Sequence, residues 1–145
     1  MKKTNKVSAE EPFSGRDTFE KARERNYQFK LRAILDTAAH LFNRKGFGNT
    51  SLSDVADHLG ITKNALYYYV QSKEDLIYQC YRLAVALNEE MLQKADQPGL
   101  TGRQKLESWL RLIIDDKHGN IVVMTELPSL PEPHRSELIR RVNTV

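Results

Sequence analysis

Thr50-Ser51-Leu52-Ser53-Asp54-Val55-Ala56-Asp57-His58-Leu59-Gly60-Ile61-Thr62-Lys63-Asn64-Ala65-Leu66-Tyr67-Tyr68-Tyr69-Val70 is the stretch on which the fold turns. Leu52, Val55, Ala56 and Leu59 recur at three- and four-residue spacing, the apolar face of one short helix. Thr50 or Ser51 caps its start. Ala56 is small where a second helix must come close. Gly60 allows a sharp turn and Ile61 buries the corner. Thr62 caps a further helix, with Leu66, Val70 and in part Ala65 facing inward. Two short helices joined by a tight turn, the second carrying a polar and aromatic face, are the layout of a helix-turn-helix.

Beyond Val70, Ser72 caps a long helix, and Asp75 three residues on is a weaker capping-box partner. Leu76, Ile77, Cys80, Leu83, Ala84, Leu87 and Met91 predict its apolar stripe. It runs to about Ala95, roughly 36 Å in length, before Asp96-Gln97-Pro98-Gly99 ends it. Upstream, Leu31, Ile34, Leu35, Ala38, Leu41 and Phe42 predict a helix from about Tyr27 to Lys45. Arg44-Lys45-Gly46 is a helix stop, with cations at the carbonyl end and a residue able to take positive φ. Phe47 supplies an apolar plug. Residues 1 to about 25 read as a flexible charged arm, turning helical near Asp17.

The recognition chemistry follows from the second helix of the pair. Such a helix presents hydrogen-bonding side chains at its N-terminal end, where it meets base edges. Here these are Thr62, Lys63, Asn64 and Ala65. Lys63 can donate to guanine and Asn64 can pair with adenine or hold a phosphate, while Ala65 lets the helix seat deeply. Tyr67, Tyr68 and Tyr69 cannot all face a core, because successive residues turn ~100° apart. One or two must expose a hydroxyl, for which phosphate contact is the natural use; half-buried packing is the competing reading for each. Thr50, Ser51 and Ser53, with Lys73 at the start of the long helix, are the expected positioning contacts.

Bulk properties agree. The 145 residues suit one domain or two small ones. Net charge is only +3, yet nine basic side chains face four acidic ones between Lys21 and Lys73, and nine face nine from Arg82 onward. The excess around the motif is what a phosphate-binding footprint requires, although a solvated basic face gives the same count. No apolar run approaches the ~18 residues of a membrane span. No apolar segment follows the N-terminal Met-Lys-Lys, which argues against a signal peptide. With Cys80 as the single cysteine, no internal disulfide forms and a cytoplasmic setting is expected. Cys80 itself falls at an apolar helical position, and burial is its expected role.

A fifth helix is predicted from about Thr101 to Asp116, with Leu106, Trp109, Leu110, Ile113 and Ile114 on one face. His118-Gly119-Asn120 breaks the pattern, and Ile121 to about Leu127 is short and apolar. Pro128, Pro131 and Pro133 forbid a continuous helix. A last helix begins between Pro131 and His134 and carries Leu138, Ile139 and Val142; reaching Val145 without a cap, it is expected to fray or to be cut short.

Across residues 28–88 the chain resembles the TetR family of bacterial transcriptional regulators. The resemblance rests on Ala38-Ala39-x-Leu41-Phe42, Gly46-Phe47, Thr50 to Ala56, Leu59-Gly60-Ile61-Thr62 and Ala65 to Leu76, with Val70 standing where the family often has phenylalanine. It implies an all-α protein: a three-helix DNA-binding head at 28–88 with its motif at 51–70, a long linking helix, and at 96–145 the start of a helical ligand-binding and dimerisation domain. It implies contacts near Ser53, Lys63, Asn64, Ala65, Tyr67, Tyr68, Tyr69 and Lys73. It further implies a homodimer on a palindromic operator in double-stranded DNA, released by a small-molecule effector, in the bacterial cytoplasm at the nucleoid. The family's usual dimer helices would lie beyond Val145. Trp109, Ile113 and Met124 are candidate pocket residues, with core packing as the alternative. Leu127 to Ile139 resembles a subgroup tied to acyl-CoA or sterol metabolism, which implies a hydrophobic or acyl-CoA effector.

An enzyme is not expected. His40, His58, His118 and His134 lack metal-ligand spacing, and there is no Gly-x-Ser-x-Gly, phosphate-binding loop or dinucleotide fingerprint. No metal, cofactor or membrane partner is expected. The competing readings are a helical interaction module that has lost DNA binding, and an activator on the same fold.

Overall fold

The computed structural model describes residues 15–114 and 127–144. The order of elements is α1 (Gly15–Lys45), α2 (Leu52–Leu59), α3 (Lys63–Leu66), α4 (Lys73–Ala95), α5 (Gly102–Ile114), a 3₁₀ turn (Leu127–Ser129) and α6 (His134–Thr144). All regular structure among the described residues is helical, as the sequence predicts. The chain divides into two compact units, residues 1–30 and 31–145, with the division falling inside α1.

In the first unit, residues 15–30 are helical and none is fully buried. The helix begins at Gly15, close to the turn to helix expected near Asp17; residues 1–14 lie outside the described set. Gln28 donates to Glu24 one turn back at 2.7 Å, the kind of i,i+4 pair that supports a solvated helix. Phe19 and Phe29 are exposed.

The second unit holds the core. From α1, Ile34, Leu35, Ala38, Ala39, Leu41 and Phe42 are buried, the predicted face with Ala39 added and Leu31 only partly covered. Gly46 takes φ +82° and its N–H returns to Phe42 O at 2.9 Å, ending the helix at the predicted residue. α2 contributes Leu52, Val55 and Ala56. Gly60, at φ +66°, stops it, and Ile61 N–H closes onto Ala56 O at 3.0 Å. Leu66 and Val70 complete the head from the α3 side, both essentially fully buried.

α4 is the central pillar, and it buries more of its circumference than one stripe. Leu76, Ile77, Cys80, Ala84 and Met91 are inside as predicted, but so are Tyr78, Tyr81, Val85 and Ala95, whereas Leu83 and Leu87 are only half-buried. The reason is that α4 packs against the head and also against α5 and α6. The Cys80 thiol reaches Leu35 O on α1 at 3.6 Å, and burial pushes its pKa up to about 12, so it is an inert packing group.

The C-terminal elements dock on α4 through polar contacts that no periodicity reveals. The Tyr78 hydroxyl donates to Glu137, and the Tyr78 ring stacks on His134 at 3.9 Å between centroids. Burial, then the Glu137 carboxylate, hold the phenol above its ordinary value, and the same hydrogen bond holds Glu137 below its own. Arg141 pairs with Glu89 at 2.7 Å. Leu130 and Leu138 join the main core, while Ile139 and Val142 are exposed, against the sequence expectation for the last helix.

Candidate nucleic-acid interface

Local chemistry builds the interface before any long-range contact does. Ser51 is the N-cap of α2: its Oγ accepts the Asp54 N–H at 3.1 Å, and the Asp54 carboxylate accepts both the Ser51 N–H at 2.7 Å and the Ser51 hydroxyl at 2.6 Å. This is the reciprocal capping box. These bonds to Ser51, helped by the charge of Lys45, hold the Asp54 carboxyl below its usual range. Thr62 caps α3 in the simpler way, its Oγ1 accepting the Ala65 N–H at 3.1 Å. Ser72 caps α4 by accepting the Asp75 N–H at 3.1 Å, but the Asp75 carboxylate accepts from Gln71 N–H at 2.7 Å and not from Ser72. The expected capping box is displaced by one residue.

Most of the expected contact residues lie at the surface. Thr62, Lys63, Asn64 and Ala65 are exposed; the part-inward position expected for Ala65 is not found. Tyr67 is 47% and Tyr68 73% exposed, and Tyr69 is half-buried. Tyr68 and Tyr69 meet edge to face at 5.1 Å, and the Lys63 ammonium lies 5.9 Å from the Tyr67 ring centroid.

The α3 helix is shorter than the one expected to carry Ala65, Leu66 and Val70 inward. α-Helix covers only Lys63–Leu66, and the tyrosines follow in a tightened turn, with Tyr68 N–H on Ala65 O at 3.3 Å and Tyr69 N–H on Leu66 O at 2.9 Å. Tyr69 O then accepts from Gln79 of α4 at 3.3 Å. That side chain also donates to Asp75 at 3.1 Å. Gln79 was not singled out from the sequence, although its place one helical turn after Asp75 was a usable signal.

Two of the expected positioning residues direct their hydroxyls within the protein. Thr50 is 1% exposed, and its hydroxyl donates inward to Gly46 O at 2.9 Å. It ties down the end of α1. Ser51 is exposed, but its N–H and O–H are both directed at Asp54. Ser53 is half-buried beside them. Lys73 opens α4 with its ammonium 4.2 Å from the Phe47 ring centroid.

Of the candidate pocket residues, Trp109 lines a cleft between α4 and α5 with Glu89, Leu92, Gln93, Lys105 and Leu106. Its indole N–H donates to Asn88 of α4 at 3.1 Å. Ile113 is 42% exposed and is not part of that lining. Met124 lies outside the described residues. The rings of His40 and His58 approach to 6.3 Å across α1 and α2, a proximity the spacing did not show. No group of three or more metal-ligating side chains gathers among the described residues, and none of their helices is long and apolar enough to cross a membrane.

Residues 34–80, the body of this head, match the family model of bacterial regulatory proteins, tetR family. Over that segment the chain is similar to the TetR family. Over 51 residues it is 37% identical to the HTH-type transcriptional regulator AcrR of Shigella flexneri, covering 35% of this chain and 24% of that protein. Over 118 residues it is 25% identical to IcaR of Staphylococcus epidermidis, the HTH-type negative transcriptional regulator of the biofilm operon icaADBC, covering 77% and 62%. The crystal structure of a TetR-family regulator from Bordetella parapertussis 12822 superposes with a TM-score of 0.68 at 24% identity, over 79% of this chain and 62% of that one, which shows a shared fold. The chain thus spans between about a quarter and three-fifths of the length of these curated relatives.

Proposed function

We propose that the chain is a sequence-specific DNA-binding transcriptional regulator, acting as a repressor in the bacterial cytoplasm. The observation that carries this is the exposed, capped tip Thr62-Lys63-Asn64-Ala65, flanked by exposed Tyr67 and Tyr68 on a head whose apolar side chains point the other way. Lys63 and Asn64 supply base-edge donors and acceptors. Tyr67, Tyr68, Tyr69 and Lys73 supply phosphate contacts, which position the head without reading sequence. At α2 the phosphate partners are the Ser53 side chain and the first-turn N–H groups of Leu52 and Ser53, which have no partner within the helix. The role of Ser51 is to hold that turn, and Thr50 drops out of the set. Likeness to IcaR, a negative regulator, supports repression.

The assembly we propose is a homodimer on a palindromic operator. A small effector, hydrophobic or an acyl-CoA, would enter beside Trp109 and shift α4, working through unequal affinity for two arrangements of the head. Titration of the repressor–operator complex with acyl-CoAs of graded length tests the effector, and retention at every length counts against it.

Selection from a random duplex library tests the main reading. Enrichment of one palindromic site, lost with Lys63→Ala and weakened with Tyr68→Ala, is the expected result. No enrichment by any form of the chain would remove the DNA-binding reading and leave the interaction module.

A further inference from the structure

Lys73 carries the one phosphate contact expected from α4, and its ammonium is placed by a partner the sequence reading treated only as a plug. The cation lies 4.2 Å from the Phe47 ring centroid, well inside the ~6 Å within which a ring quadrupole attracts a cation. Phe47 is itself held: its ring meets Phe42 at 5.5 Å, and Phe42 is buried in the α1 face of the core. The corner that carries Phe47 is pinned by Gly46 N–H on Phe42 O at 2.9 Å and by Thr50 N–H on Phe47 O at 3.3 Å. The buried Thr50 hydroxyl on Gly46 O adds a third tie. A long flexible ammonium stem thus rests on a ring whose own position is fixed three ways.

We propose that Phe47 is a positioning residue for DNA binding: it holds the Lys73 ammonium at the phosphate-facing end of α4 before the duplex arrives. A free lysine loses rotamer freedom when it pairs with a phosphate. On Phe47 part of that loss is already met in the unbound protein, which is how preorganisation raises affinity. The same contact links the α1–α2 corner to the first turn of α4. Phe47 touches no DNA in this account, and its whole effect passes through Lys73. The inference rests on the DNA-binding reading above, and the experiment separates the two.

The test is a double-mutant cycle on the duplex enriched by the unaltered chain, with binding measured across a salt series. Lys73→Ala should lower the slope of log K against log salt by about 0.9, the counterion released by one phosphate contact. Phe47→Leu, which keeps an apolar plug, should weaken binding about two- to fivefold in the Lys73 background and leave it unchanged in the Lys73→Ala background. Phe47→Tyr should restore it. In the free protein, NMR should show ring-current displacement of the Lys73 side-chain protons that Phe47→Leu abolishes. An equal loss in both lysine backgrounds, or no ring-current displacement, would overturn the positioning role while DNA binding stood. Failure of the unaltered chain to retain any duplex, with the displacement present, would sink the DNA-binding reading and the role in it together, leaving only a cation–ring contact.

Discussion

The α2–α3 region and α5 are both amphipathic, yet the structure treats their apolar faces in opposite ways. In the head, Leu52, Val55, Ala56, Leu66 and Val70 are buried and the polar tip is bare. In α5 no residue is buried, and Leu106, Leu110, Ile113 and Ile114 stand 42% to 79% exposed. The head is a closed packing problem, because α1, α2, α3 and the start of α4 cover one another's apolar faces. α5 is held mainly on one side, by the Trp109–Asn88 hydrogen bond and the Lys105–Asp96 ion pair to the end of α4. Periodicity reports that a face is apolar; it carries no information about what covers it.

The largest effect that could break this contrast is a cavity. Leu66→Ala removes a fully buried side chain and should cost about 2–5 kcal/mol in urea unfolding. Ile114→Ala, 79% exposed, should stay within about 0.5 kcal/mol. Equal losses at the two positions would mean that α5 is as tightly packed as the head.

The next effect concerns DNA. Lys63→Ala should weaken binding to the enriched duplex by about 1–3 kcal/mol, the value of one base contact. Lys105→Ala, on α5, should leave it unchanged. A comparable loss from Lys105→Ala in fluorescence-anisotropy titrations would extend the interface to α5.

Smaller still is the cap. Ser51→Ala should destabilise the head by ~1 kcal/mol, and amide exchange should rise first in the opening turn of α2. Uniform exchange across α2 and α5 would show that the cap does not set local stability.

The smallest effect is a pH dependence. Asp54 has a folded pKa below its unfolded value, so the unfolded chain takes up the proton first as pH falls. Its stabilising contribution is complete above the ordinary carboxylate range, near pH ~4, and is lost as pH drops through the lowered folded value. Asp54→Asn should flatten this limb of an acid titration of α2 while leaving α5 unaltered. An unchanged limb would assign the acid sensitivity to another carboxyl.

The head was legible because its determinants are local. Ser51, Thr62 and Ser72 cap the helices that the sequence places after them, and Gly46 and Gly60 stop helices at the expected residues. What misled was direction. Thr50 and Ser51 are adjacent hydroxyl residues at one helix start, and composition offers no reason to separate them. The fold turns one into the core and the other onto Asp54. Tyr78 and Tyr81 stand outside the predicted α4 stripe, yet the fold buries both. For Tyr78, the partner that makes burial affordable is Glu137, 59 positions away.

By itself, the sequence determined the helix-turn-helix, its caps and its polar Thr62–Asn64 tip, because capping and amphipathic spacing act within one or two helical turns. Only the tertiary structure decided that α4 buries two sides, that Lys73 rests on Phe47, that the tyrosine run leaves the helix for a tightened turn, and that α5 keeps its apolar face in the open. Each of these depends on which distant surface arrives opposite a given side chain, and that is a property of the packed chain as a whole.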